Sequence, residues 1–394
     1  MRPSTLGSFG LVATCLLAAV FSAAPLSADP LGQITVVATG GTTPGFTANT
    51  QSRTITTGSD GNLWFLESAT DAVARITPDG AVSEFPVPGA GAFVSLFHIT
   101  AGPDGALWFT GFNPPGHLYR ATTDGTVTEV AQGGVTPGFP AGNIEDIVTG
   151  PDGNLWATRP FQNPADELVR ITPGGTITGF GGGAGLPADS TLRFITVGAD
   201  GNLYITDSGQ GQGEPPVPVR VWRFNLTTSQ VELVATAGTT PGFTAGNFIG
   251  DITSGPDGNL WFLFNAGAST SGIARLTLAG EVTEFTAGID PTANLQNVTS
   301  GCDGALWFTQ AVEDNSVGKV LRSTTDGTVT AYTEGLPDGA SLVGITSGPD
   351  DNLWVIDGAD PGAVLRVGAG CGEAPPPAPA PAPVPVTVTP RFTG

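Results

Sequence analysis

Residues able to do chemistry are scarce in this sequence. There are two histidines, His98 and His117, and three cysteines in 394 residues. No Ser/His/Asp set, phosphate-cradling glycine loop or Cys-x-x-Cys pair is present, so most hydrolytic and metallohydrolase designs are strained or excluded. What the chain offers instead is a position that changes type from one copy of a repeat to the next. Thr54, His98, Asp146, Phe194, Asp251, Asn297 and Gly344 each stand one residue before the apolar start of a recurring segment. Among these, His98, Asp146, Asp251 and Asn297 are candidates to converge on a small polar ligand or on a cation such as Mg²⁺ or Ca²⁺, hard ions that take oxygen donors. The alternative is a water-filled tunnel lined with ordinary polar groups. A second pattern, Thr-Pro-Gly-Phe, recurs three times and places Phe46, Phe139 and Phe243 in equivalent loops. These rings are candidates for an aromatic rim around an apolar ligand, or else they pack their own loops down.

The elements that position these residues come from a repeat. One copy reads Ile99-Thr-Ala-Gly-Pro-Asp-Gly-Ala-Leu-Trp-Phe109, and seven copies place an aspartate at Asp60, Asp104, Asp152, Asp200, Asp257, Asp303 and Asp350. The spacings are 44, 48, 48, 57, 46 and 47 residues. A second segment follows each copy, as in Arg75-Ile-Thr-Pro-Asp-Gly-Ala-Val-Ser-Glu-Phe85. Asp-Gly and Gly-Gly mark hairpin turns, so each unit holds four short strands. The run Asn-Leu-Trp-Phe is apolar on both faces and needs cover on both sides. Four-stranded meanders of this length, each sandwiched between neighbours, are propeller blades. The fold class is therefore all-β, a seven-bladed β-propeller over residues 33–371.

The last unit has three runs and no fourth, while Gln33–Ala38 is a run without preceding partners. It is expected to complete blade 7 and close the ring, which removes exposed edges. The aspartates are read as turn formers whose carboxylates accept local backbone N–H bonds. Arg75, Arg120, Arg170, Arg223, Arg275, Arg322 and Arg366 occupy one position in every third run. They are read as blade-locking residues that pair with turn carboxylates or backbone carbonyls.

Composition bounds the setting. Residues 1–28 read as a signal peptide: Arg2, an apolar run from Leu11 to Phe21 too short to span a bilayer, and small residues ending at Ala28. Removing it takes the net charge from −21 to −22. Such a chain is repelled by nucleic acid and by anionic lipid. The mature chain is expected to be secreted or held in the cell envelope, with no transmembrane segment, and to be a monomer. Cys302 replaces the proline of a blade 6 turn, and Cys371 follows the last run of blade 7. Both belong to the face opposite the long loops, on neighbouring blades, and they are expected to form a disulfide. Residues 372–394 are a Pro/Ala-rich tail of polyproline type. The insertion from Asp207 to Arg220 is expected to project from blade 4.

The repeats Ile-Thr-x-Gly-Pro-Asp-Gly-Asn-Leu-Trp-Phe and Arg-Ile-Thr-Pro-Asp-Gly-x-Val-Thr-Glu-Phe resemble the streptogramin B lyase (virginiamycin B lyase) family through nearly all of residues 33–371. The resemblance implies a propeller, and for active members a Mg²⁺-dependent elimination that opens a cyclic depsipeptide with a catalytic histidine. It places a Glu-x-His-x-Ile segment at the entry to a late blade and a further Glu after that blade's Trp run. Here Ser341 takes the place of the Glu, Val343 that of the His, and Asp357 follows the Trp run. The base that the family would use is not carried at its place.

The leading expectation is a secreted binding or scaffold propeller without robust catalysis, taking a small molecule or a protein at the channel mouth. The alternative is a streptogramin-type lyase with a rearranged site.

Overall fold

The computed structural model describes residues 28–371, apart from 49–51, 90–94, 112–114, 140, 161–166, 210–217, 245–247, 266–269 and 312–317. The expectations for the leader, the proline-rich tail and most of the insertion after Asp207 lie outside the described residues. Among the described residues the chain forms seven four-stranded antiparallel sheets and a single helical turn, Gly182–Ala184.

Blade 1 runs from the tunnel outward as Ser52–Thr57, Leu63–Glu67, Ala72–Ile76 and Val82–Pro86. The innermost strands of blades 2 to 6 are Leu96–Ala101, Ile147–Thr149, Leu192–Val197, Phe248–Ser254 and Asn294–Ser300. Blade 7 takes Leu342–Ser347, Asn352–Asp357 and Ala363–Gly368 from the end of the chain and Ile34–Thr39 from its beginning. The last two pair antiparallel, from Ile34 with Val367 to Thr39 with Ala363, so the ring closes as its missing fourth run requires. Inner strands of successive blades pack side by side, and the inner strand of blade 1 packs on that of blade 7. A belt of hydroxyls joins them: Thr57 Oγ1 donates to the Ser347 carbonyl at 2.6 Å, Ser347 Oγ to the Ser300 carbonyl at 2.7 Å, and Ser300 Oγ to the Ser254 carbonyl at 2.6 Å.

The second strand of each blade is buried along its length, as in Leu63–Glu67 and Leu107–Gly111. Trp64, Trp108, Trp156, Trp261, Trp307 and Trp354 fill the spaces between blades. A buried tryptophan removes ~150–250 Å² from water, worth about 4–6 kcal/mol of transfer free energy. Each indole N–H must still find an acceptor, and the turn aspartate four residues earlier supplies it: Trp64 Nε1 donates to Asp60 at 3.1 Å and Trp354 Nε1 to Asp350 at 2.9 Å. In blade 4 the Tyr204 hydroxyl donates to Asp200 at 3.1 Å. Most third-strand arginines act as expected from their repetition, while Arg170 lies over the Phe180 ring instead. Arg120 and Arg322 pair with Asp104 and Asp303 at 2.6 Å, while Arg75 donates to the Thr123 carbonyl of the next blade at 3.0 Å. Arg366 pairs instead with Asp29 at 2.7 Å, so the N-terminal segment closes blade 7 through charge as well as through a strand. The Cys302–Cys371 disulfide is present, with a Cα–Cα distance of 5.8 Å.

Candidate functional site

The innermost strands carry a bulge that strict alternation would not allow. Leu96 and Ile99, Leu192 and Ile195, Ile249 and Ile252, and Leu295 and Val298 are all buried, although residues three apart on a regular strand face opposite sides. The register slips between the members of each pair, which leaves two residues outside the ladder. Phe97 with His98, and Gln296 with Asn297, thereby reach the mouth of the tunnel together. The spacing of aliphatic residues by three was visible in the sequence; its meaning was missed.

All four polar candidates line the tunnel: His98, Asp146, Asp251 and Asn297 border one narrow cavity of about 150 Å³. They do not form a ligand cage. His98 Nδ1 lies 3.0 Å from Asp146 Oδ1. Burial acts to lower the imidazole pKa, but the charge and hydrogen bond of Asp146, aided by Asp251 and Glu145, outweigh it and hold His98 above its usual value. Asp146 also accepts Ile147 N at 2.7 Å and, across the blade junction, Ile195 N at 2.9 Å. Asp251 repeats this one junction later, accepting Ile252 N at 2.8 Å, Val298 N at 2.9 Å and Asn297 Nδ2 at 3.1 Å. Burial, with the charge of Asp146, pushes Asp251 up to about 6. These carboxylates capture N–H groups that the bulges release, and so staple neighbouring blades. His117 sits on the third strand of blade 2 and pairs with Glu129 at 2.7 Å.

Above the staples the tunnel opens into a cavity of about 300 Å³. Its wall brings together Arg53, Phe97, His98, Phe194, Asn297 and Val343. The Arg53 guanidinium lies over the Phe97 ring, 5.4 Å from its centroid, and Phe194 meets His98 edge-on at 5.8 Å. Asp146 and Asp251 are not among the residues of this wall.

Phe46, Phe139 and Phe243 do not form a rim; they are 4%, 2% and 1% exposed. Each is a wedge between blades. Phe46 packs edge-on against Phe65 at 5.7 Å, Phe139 lies beneath Arg159 at 5.5 Å, and Phe243 packs on Phe262 at 5.5 Å. The Thr-Pro-Gly-Phe loop folds back on itself, with Thr236 N donating to Thr240 Oγ1 at 2.9 Å and Gly238 N to the Phe243 carbonyl at 2.9 Å. An apolar ring beside a blade junction gains more from burial than from facing water. The aromatic lining of the mouth comes instead from Phe97 and Phe194, at bulge positions.

The late-blade position is also built for structure. Asp357 Oδ1 accepts Ser341 N at 2.8 Å and Ala359 N at 3.0 Å. At the same place in blade 4, Asp207 Oδ1 accepts Thr191 N at 2.7 Å and Gly209 N at 2.9 Å. Two blades thus use one device, a buried carboxylate that pins a loop. Burial raises the pKa of Asp357. Magnesium does not fit here: Asp357 is committed to backbone, and Ser341 and Val343 bring neither carboxylate nor imidazole. Among the described residues no three His, Cys, Asp or Glu side chains gather as a metal-binding group.

The sequence matches the Virginiamycin B lyase family over residues 21–142 and 217–370. No curated protein matches it. Among solved structures, a catalytically inactive virginiamycin B lyase from Staphylococcus aureus with quinupristin is similar at a TM-score of 0.66 and 24% identity, over 85% of this chain and 99% of that one. A streptogramin B lyase is similar at 0.63 and 25% identity, over 81% and 94% of the two chains. A YCF48 structure bound to a D1 peptide shares the fold at 0.58 and 14% identity, over 89% and 100%.

Proposed function

The chain belongs to the virginiamycin B lyase family, and from that premise we propose that it is an exported, monomeric propeller that binds a small ligand at its channel mouth and does not open cyclic depsipeptides. One observation carries this reading. The mouth is a formed cavity with a cation, two rings and side-chain amides in its wall, while the place where the family sets its base holds Ser341, Leu342 and Val343 around a loop-pinning Asp357. Elimination needs a base near the abstracted proton. The histidine at the mouth, His98, is held by Asp146 with its pKa raised, which suits binding better than proton abstraction. Export is supported by the leader and by a disulfide, a bond that persists in oxidising compartments.

A turnover assay on a cyclic depsipeptide, with and without EDTA, tests the reading. The expected result is an intact ring in both arms. Metal-dependent ring opening would overturn it in favour of a lyase with a rearranged site.

A further inference from the structure

Resting on the reading of the mouth as a binding site, we propose that its ligand is a small organic anion, a carboxylate on a flat apolar body, with Arg53 as the counter-charge. The proposal turns on one ring of residues, those two positions before Ile55, Ile99, Ile147, Ile195, Ile252, Val298 and Ile345. In blades 1 to 4 these are Arg53, Phe97, Glu145 and Arg193. Glu145 is 1% exposed and pairs with Arg193 at 3.0 Å, so those two charges cancel. The other members of the ring, Gly250, Gln296 and Val343, carry no charge. Arg53 is left over. It is exposed, and among the described residues it has no ion-pair or hydrogen-bond partner; its guanidinium rests on the Phe97 ring.

Among the described residues only Arg170, half-buried over the Phe180 ring, shares this state. The chain has 35 acidic against 14 basic residues, and carboxylates are available to most arginines: Arg120, Arg220, Arg322 and Arg366 all hold one. At the mouth the described residues supply none. Among the described residues no aspartate or glutamate lies in the cavity wall, and the tunnel carboxylates below it are taken up by His98 and by backbone N–H groups. A guanidinium offers a planar fork of donors that matches a carboxylate in two parallel hydrogen bonds, and a ring beneath it holds the fork in plane. Phe97, Phe194 and Val343 provide apolar wall for the body of the ligand, and about 300 Å³ accommodates a molecule of one-ring size. A divalent cation would meet Arg53 and find no carboxylate among the described residues of the wall.

Calorimetric titration of the full exported chain with phenylacetate, its neutral isostere phenylacetamide and the cation phenethylammonium tests this. The expected result is binding of phenylacetate at least about 10-fold tighter than of either other probe, the scale set by one charge-assisted pair. Arg53→Gln should abolish that preference with an unchanged melting temperature, since the side chain is exposed, and Arg53→Lys should keep part of it. The proposal is overturned if the amide or the amine binds as tightly, if the preference survives in Arg53→Gln, or if phenylacetate does not bind. Binding of the neutral probe alone would leave the mouth as a binding site and remove the anion. Ring opening in the depsipeptide assay would instead remove the non-catalytic reading, with the charge preference still measured independently.

Discussion

A single turn aspartate serves several donors at once. Asp257 Oδ1 accepts Asn259 N at 3.2 Å and Trp261 Nε1 at 3.0 Å, and its Oδ2 accepts Asn259 Nδ2 at 2.8 Å. Asp257→Ala would leave a buried indole N–H without an acceptor and should cost about 1–3 kcal/mol in denaturant unfolding. Burial pushes this carboxyl up, but the hydrogen bonds from Asn259 and Trp261 prevail and hold it below its usual range, as at Asp60, Asp104, Asp152 and Asp200. A depressed carboxylate stabilises the fold above its unfolded pKa, and that contribution is lost as pH falls through the folded value. Glu67 works with the opposite sign. It is fully buried, and burial together with the charge of Glu84 raises it from 4.5 to about 8. The folded state therefore binds its proton more tightly than the unfolded chain. Stability is fully present below pH 4.5, falls as pH rises to about 8, and is flat above that. The melting temperature should peak at mildly acidic pH. Glu67→Gln, which mimics the protonated form, should flatten the decline above the peak and exceed the wild type at pH 9 by something on the order of 2–5 kcal/mol. A wild-type profile that is level between pH 5 and 9 would show that Glu67 does not titrate there.

Two kinds of local element divide the labour between packing and presentation. The Thr-Pro-Gly-Phe loops are wedges whose glycine and phenylalanine are both obligatory. Gly242 has φ +78°, and a Cβ there would come within 2.4 Å of the Val282 carbonyl. The bulges are presenters, setting pairs of residues such as Phe97 and His98 into the mouth. Phe243→Ala should therefore cost about 3–5 kcal/mol of stability, the range for emptying an aromatic core site, and leave ligand affinity per folded molecule unchanged. Phe97→Ala should do the reverse, with a melting temperature near wild type and weakened binding. Paired thermal melts and titrations separate the two; a stability loss on Phe97→Ala equal to that of Phe243→Ala would erase the distinction between wedge and presenter.

At the scale of the whole molecule, stability depends on closing a ring from chain ends more than 300 residues apart, as the Arg366–Asp29 bond with its separation of 337 shows. Without Ile34–Thr39, blade 7 would expose the unpaired edge of Ala363–Gly368 and a strip of core around Ile34, Ala38 and Leu365. Deleting Gln33–Ala38 should cause aggregation or a large fall in melting temperature, whereas deleting residues 375–394 should change it little; equal melting temperatures would refute closure by this strand. The disulfide spans a separation of 69 residues. In the chain-entropy model it is worth about 4 kcal/mol before strain is subtracted. Cys302→Ser should lose up to that amount, and non-reducing peptide mapping of the protein produced under oxidising conditions should recover the linked pair.

The blade number, the antiparallel order, the closing strand, the turn aspartates and the Cys302–Cys371 link were all legible in the sequence, whereas the indole N–H that turn aspartates such as Asp60 and Asp350 accept was not. Each depends on local spacing repeated seven times, or on chain ends left without partners by that repetition. A blade touches only its neighbours, so its pattern is written in its own forty-odd residues. The mouth is different. Its residues lie 44–57 positions apart, and their meaning depends on which side chain the ring sets beside which. By type and position Asp146 and Asp251 read as potential ligands; tertiary structure turned their oxygens toward Ile195 N and Val298 N. Sequence put Phe46, Phe139 and Phe243 on the right face, and packing between blades buried them. Only the closed ring decides that Glu145 neutralises Arg193 and leaves the charge of Arg53 unmatched among the described residues, because one-to-one pairing of charges is set by distance between packed blades and not by position along the chain.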